Sequence, residues 1–101
     1  MGVYEWKANT MDLMPAGKMH ESRALAKALS AEVRATLARQ NMTAKDLAAQ
    51  CGISAGYLGK RLRNEAPFNL NDLEAICAAL GRDVLGFVAA ALEAAREAES
   101  H

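Results

Sequence analysis

The stretch Thr43 to Asn64, TAKDLAAQCGISAGYLGKRLRN, decides how the rest of the chain is read, because it spells two short helices joined by a glycine turn. Thr43 can cap the first helix by accepting a hydrogen bond from a free backbone N–H, and Leu47 and Cys51, one turn apart, share its buried face. Gly52 stands where a chain leaving a helix commonly needs a positive φ. Ile53 then turns into the core, and Ser54 caps the next helix. In that second helix Leu58 and Leu62, at i and i+4, form the anchoring side, while Gly56, Gly59, Lys60 and Arg63 fall on the other side at about 100° per residue. The stretch reads as a helix-turn-helix with a cationic face turned outward.

Working outward, Leu25, Leu29, Val33 and Leu37 recur every four residues, so about Glu21 to Gln40 is one long helix, or two collinear ones with Ser30 capping the second. The helices of the central stretch are expected at about Ala44 to Cys51 and Ala55 to Arg63. Beyond them NEAPFN, Asn64 to Asn69, is a loop: Pro67 disfavours helix at Ala66, and Phe68 folds back onto the core. Asn69 or Asn71 caps a further helix carrying Leu70, Leu73, Ile76, Cys77 and Leu80 as far as Gly81. Asp83 caps the last one, roughly Val84 to Glu99, with Leu85, Val88 and Leu92 as one apolar stripe and Val84, Phe87 and Ala91 as a second beside it. Residues 1–20 alternate enough around Tyr4 and Trp6 to allow a short strand in an otherwise loose arm.

The totals agree with packed helices. The chain has 101 residues, 51% of them hydrophobic and only 5% aromatic, which is room for one small domain with extensions. The expected layout is an arm over 1–20, a helix-turn-helix domain over 21–82 and a final helix over 83–101. The formal net charge of 0 hides an asymmetry: residues 29–64 carry a net +4 and residues 65–101 a net −5, so a basic half faces an anionic partner and an acidic half avoids it. Cys51 and Cys77 sit on apolar helix sides without metal-ligand spacing and are expected as buried free thiols. His20 and His101 lie in the extensions and the acidic residues are expected on solvent faces. No nucleophile therefore meets a base, and an enzyme is not indicated. No cofactor, metal or small-molecule ligand is expected. Neither a membrane-length apolar run nor a signal-peptide layout is present, so a cytoplasmic protein is expected.

Ala48 lies four residues before Gly52 and Leu58 six after it. With the runs LAAQCGIS and YLGKRLRNEAPFNLNDLEAICAALG, this spacing resembles the Cro and lambda-repressor family of helix-turn-helix proteins over about Leu29 to Val88. The second run is similar to repressors of actinobacteria and their phages. The resemblance implies an all-α, five-helix fold in which a small residue at Ala48 lets two helices cross closely. It also implies a sequence-specific DNA-binding regulator, a repressor by type. The chain departs from the family pattern at Ala44, where Gln often helps fix a phosphate, and at Ala55 and Gly56, where polar side chains often read bases. Those departures imply a readout that leans on DNA shape.

A helix of this width fits the major groove with its first residues toward base edges. Lys60 and Arg63 are therefore expected at or near bases, Arg63 equally able to take a guanine edge or a phosphate, with Ala55 against a thymine methyl and Gly56 and Gly59 at close backbone approach. Thr43, Lys45, Ser54, Tyr57 and Asn64 suit phosphates, while Arg61 packs its stem on the core flank and extends its charge outward. Two copies on double-stranded DNA are expected to pair through the arm, with Tyr4 and Trp6, or through Val84, Phe87 and Ala91. The rival reading is a protein-interaction module of the antitoxin or antirepressor kind, working through the apolar arc of the last helix.

Overall fold

The computed structural model describes residues 21–100, which form five helices: α1 Ala24–Gln40, α2 Ala44–Cys51, α3 Ala55–Leu62, α4 Leu70–Leu80 and α5 Val84–Glu99. No strand occurs among the described residues. The arm of residues 1–20, with Tyr4 and Trp6 and its expected strand, lies outside the described residues, as does His101.

Local chemistry sets the boundaries. Thr43, Ser54, Asn69 and Asp83 each accept a backbone N–H three residues on, from Asp46 at 3.0 Å, Tyr57 at 3.0 Å, Asp72 at 2.7 Å and Gly86 at 2.9 Å. Each such cap stabilises its helix by about 1 kcal/mol. Asn69, not Asn71, is thus the cap of α4. The first four helices end alike, each followed by a residue in the left-handed region: Asn41 (φ 57°), Gly52 (72°), Asn64 (65°) and Gly81 (70°). The next N–H reaches back over the turn in every case, from Met42 to the Leu37 carbonyl at 2.9 Å, Ile53 to Ala48 at 3.1 Å, Glu65 to Lys60 at 2.9 Å and Arg82 to Cys77 at 2.8 Å. Carbonyls that the helix itself leaves unpaired are satisfied this way.

α1 is one continuous helix, starting at Ala24 rather than near Glu21. Ser30 is not a cap but an interior, buried residue whose hydroxyl donates to Asn64 Oδ1 at 2.7 Å. Five side chains, one from each helix, meet at the centre fully buried: Val33, Leu47, Leu58, Ile76 and Phe87. Ala48 is buried where α2 meets its neighbours, while Ile53, Leu62 and Phe68 close the margin of the core. Cys51, only partly buried, and Cys77, buried as expected, are free thiols, and burial raises the pKa of both.

Three expectations are corrected. Leu25 is not part of the buried α1 stripe but stands 50% exposed, because among the described residues it lines an open groove rather than a helix contact; the buried ladder begins at Leu29. On α5 the two stripes split, with Val84 and Val88 both packed, partly buried, against the core. Phe87 and Ala91, open to either an intramolecular or a subunit contact by sequence, are 0% and 1% exposed within the single chain, because α5 lies against α1 and turns this face into the shared core. Leu85, expected in the buried stripe, is 79% exposed, and Leu92 also faces outward. The acidic residues do not all face solvent either. Glu32 is buried, accepting from Arg39 Nη2 at 3.0 Å with Arg82 Nη1 at 3.8 Å, and Asp72 is buried under α3.

Leu58→Ala is expected to lower the unfolding free energy by about 2–5 kcal/mol, measured by denaturant titration, because a fully buried side chain leaves a cavity at the meeting point of five helices. At Gly52 an added Cβ would meet nothing within 4 Å, so Gly52→Val isolates backbone strain. A loss of at least about 1–2 kcal/mol is expected from the left-handed conformation alone.

Candidate nucleic-acid interface

The expected DNA-contacting residues fall into two groups. Thr43 and Lys45 at the start of α2, and Ser54, Ala55, Gly56, Lys60 and Arg63 along α3 and its end, are exposed. Lys45 and Lys60 form no ion pair among the described residues. Ala55 and Gly56 leave the first turn of α3 almost without side chains, so its outer surface is methyl group and bare backbone.

Tyr57 and Asn64, expected at phosphates, are instead turned inward and committed. The Tyr57 hydroxyl donates to the Asp72 carboxylate at 2.9 Å, and the same carboxylate accepts the Asn69 backbone N–H at 3.1 Å in a capping box that starts α4. Burial is the main cause that raises the Tyr57 pKa, and the hydrogen bond to Asp72 adds to it. Arg61 lies over the Tyr57 ring, 3.5 Å from its centroid, and donates to the Tyr57 carbonyl at 3.2 Å. Its stem is packed as expected, but its charge is buried as well, because the aromatic face and nearby acceptors hold it there. The Asn64 side chain accepts from Ser30 of α1, and its left-handed backbone turns the chain back at the end of α3. Arg34 completes that end: its guanidinium donates to the Leu62 carbonyl and to Ser30 Oγ.

Arg63 follows α3 rather than ending it, since the helix stops at Leu62. Its Nε donates to Glu65 Oε2 at 2.8 Å, and both side chains are more than half exposed. Its guanidinium folds over Gly59 so closely that a Cβ there would stand 2.9 Å from Nη1. Gly59 is therefore covered by a side chain of this chain, where open backbone was expected. The Glu65 carboxylate next to the guanidinium raises the Arg63 pKa, and Arg63 lowers that of Glu65.

Sequence reasoning missed four residues that shape this surface: Ser30, Arg34, Glu65 and Asp72. The Asn-x-x-Asp spacing of Asn69 and Asp72 was a legible capping signal, but nothing local foretold that the same carboxylate would face Tyr57. Among the described residues, no cluster of three or more His, Cys, Asp or Glu could hold a metal ion. No helix among them is long and apolar enough to cross a membrane.

The helix-turn-helix family model matches residues 33–87. Among solved structures, the chain is similar to the clp gene regulator ClgR from Corynebacterium glutamicum at 30% identity, over 77% of this chain and 88% of that one, with a TM-score of 0.65. It also shares its fold with the restriction-modification controller protein C.Esp1396I. A point mutant of that protein is 19% identical over 74% of this chain and 97% of its own, with a TM-score of 0.69. The form bound to a 25 base pair operator site is 21% identical over 71% and 95%, with a TM-score of 0.65. No curated protein matches the chain.

Tyr57→Phe removes one donor from a buried carboxylate and is expected to cost about 1–3 kcal/mol of stability. The folded-state pKa of Tyr57 is raised, so the contribution of the neutral phenol is fully present below the usual tyrosine value of about 10 and fades as pH rises through the higher folded value. Urea titrations of both proteins across that range check it: the gap between them should close only at the alkaline end.

Proposed function

Since the chain belongs to the helix-turn-helix family, we infer that it is a sequence-specific DNA-binding transcription regulator, a repressor of the Cro and lambda-repressor type with α3 in the major groove. The observation that carries this reading is that α3 is held from its inner side by Leu58, Tyr57 and Arg61 while Lys60, Ala55 and Gly56 stay outward, with Lys45 exposed at the start of α2. Operator DNA, to which the fold neighbour C.Esp1396I is bound, is the proposed partner here. A bacterial or phage-infected cytoplasm, where such DNA lies, is the proposed compartment.

In this reading Thr43, Lys45 and Ser54 contact phosphates, and helix-terminal N–H groups support them. Lys60 is the first candidate for a base edge. Ala55 and Gly56 bring methyl and backbone against the groove wall, so that sequence is sensed largely through shape. Arg63 reaches DNA by exchanging Glu65 for a phosphate or a guanine. An exposed ion pair is worth only about 0–1 kcal/mol, so the exchange is easy, and Glu65 discourages its formation on the wrong sequence.

Two copies on a two-fold site would set their α3 helices about 34–36 Å apart, one turn of DNA. The α5 residues available for such pairing are Leu85 and Leu92, seven apart on the outer face, and not Phe87 or Ala91. The rival protein-interaction reading would have to work through the same exposed Leu85 and Leu92, since Phe87 and Ala91 of the α5 arc are buried within the chain.

Gel shifts on random and selected duplexes over a range of salt test the reading. Lys45→Ala is expected to weaken all sequences alike and make the slope of log K against log salt shallower by about 0.9. Lys60→Ala should cost about 1–3 kcal/mol on the selected site if it pairs with a base edge. Glu65→Gln should raise affinity for random DNA more than for the selected site. A protein with no binding to any duplex at low salt would end the DNA-binding reading.

A further inference from the structure

Between the start of α1, the loop before α4 and the start of α5 lies an open groove of about 550 Å³, walled almost entirely by apolar side chains that include Leu25, Phe68, Leu70, Val84 and Val88. Leu70 stands 79% exposed at its rim. Contiguous apolar surface of this kind marks a contact site, since each Å² left in water costs about 25 cal/mol. The proposed DNA-binding surface makes no use of it.

The occupant follows from where the chain enters. Glu21, the first described residue, is part of the groove wall, so residues 1–20 are tethered at its mouth. That segment, MGVYEWKANTMDLMPAGKMH, is half apolar. It balances Glu5 and Asp12 against Lys7 and Lys18, and it holds the only tryptophan of the chain. At the tether, Ser22 is buried with its hydroxyl lacking a hydrogen-bond partner among the described residues, a site that a polar group of the adjoining segment would satisfy. Trp6 lies fifteen positions before Glu21, a stretch that can span on the order of 50 Å, so the indole can reach every part of the groove. A second copy is the weaker fit. A groove with room for a few side chains falls well short of the roughly 800 Å² per partner of a stable interface, whereas a short tether supplies its segment at an effective concentration on the order of millimolar.

We propose that residues 1–20 fold back into this groove, with Trp6 as the anchor, and so close the apolar side of the domain between α1 and α4. The indole then packs on Leu70 and Val88, and the loop that follows α3 is braced from behind. The interaction is intramolecular and independent of DNA.

The single tryptophan makes the test direct on the full chain. Emission from Trp6 is expected to the blue of free N-acetyltryptophanamide and protected from acrylamide, equally at concentrations where sedimentation gives a monomer. Leu70→Glu and Leu25→Glu, both at exposed positions, should each move emission and quenching to the solvent values while helical circular dichroism is retained. The proposal is overturned by a solvent-like Trp6 in the parent protein, or by spectra unchanged in both variants. Protection that grows only in step with dimer formation would also overturn it, by assigning the groove to a second copy.

Discussion

The constraint on which this molecule depends is the left-handed residue that closes each of its first four helices. A chain of short helices cannot bury one face of each without turning sharply between them, and a sharp turn exposes carbonyls that the helix can no longer pair. Asn41, Gly52, Asn64 and Gly81 resolve both demands in one residue, with φ between 57° and 72°. At Gly52 the consequence reaches furthest. The Ile53 N–H returns to the Ala48 carbonyl, Ser54 begins the next helix one residue later, and Leu47 and Leu58 are thereby delivered to the same point. Each buried leucine contributes about 1.5–3 kcal/mol, more than any single cap, but only because the corner has fixed where it goes.

Eight residues make a helix that is marginal in isolation, so α3 owes its position to its surroundings. Leu58 ties it to the core. Tyr57, with Arg61 stacked on its ring, ties its flank to α4 through a carboxylate that also caps α4. Arg34 and Ser30 of α1 hold the Leu62 carbonyl and the Asn64 side chain at its end. Three neighbours thus grip the inner side of α3 by different chemistry, and a rotation of the helix would break all of them together. Asp72 is the costliest member, since burying a carboxylate is unfavourable unless several donors meet it. The capping box and the phenol supply those donors.

Most of this fold was legible in local sequence because capping and period are local properties. Thr43, Ser54, Asp83, Gly52 and Gly81 act in the structure as their residue types suggest. Faces were harder. On α5 two apolar stripes of similar strength lay side by side, and nothing within the helix says which will meet α1. Phe87 and Ala91 could therefore be read equally as core or as subunit interface and Leu85 as core, whereas the first two are buried within the chain and Leu85 is exposed. The candidate site was legible in part. A wheel separates Lys60 from Leu58, but it cannot show that Tyr57 will find Asp72 fifteen residues away, that Asn64 will find Ser30 thirty-four residues away, or that Arg63 will bend back to Glu65. Those pairings are set by tertiary approach, which no period encodes.

A net charge of 0 is no obstacle to the proposed role, because what matters for DNA is how charge is distributed within about a Debye length, roughly 8–10 Å in physiological salt. Of the six basic residues between 29 and 64, Arg34, Arg39 and Arg61 are engaged with carbonyls, a buried carboxylate or an aromatic ring of their own chain. Arg63 is held loosely by Glu65. Lys45 and Lys60 are the cations left facing outward without an ion pair among the described residues. On the proposed role, a surface with so few uncommitted charges would bind random DNA weakly, since non-specific affinity scales with the phosphates neutralised. The same economy sharpens selectivity. In the proposed reading, with little affinity drawn from the backbone, a larger share of binding would come from the fit of Ala55, Gly56 and Lys60 to the groove, and Arg63 would add its charge only where DNA offers more than Glu65 does.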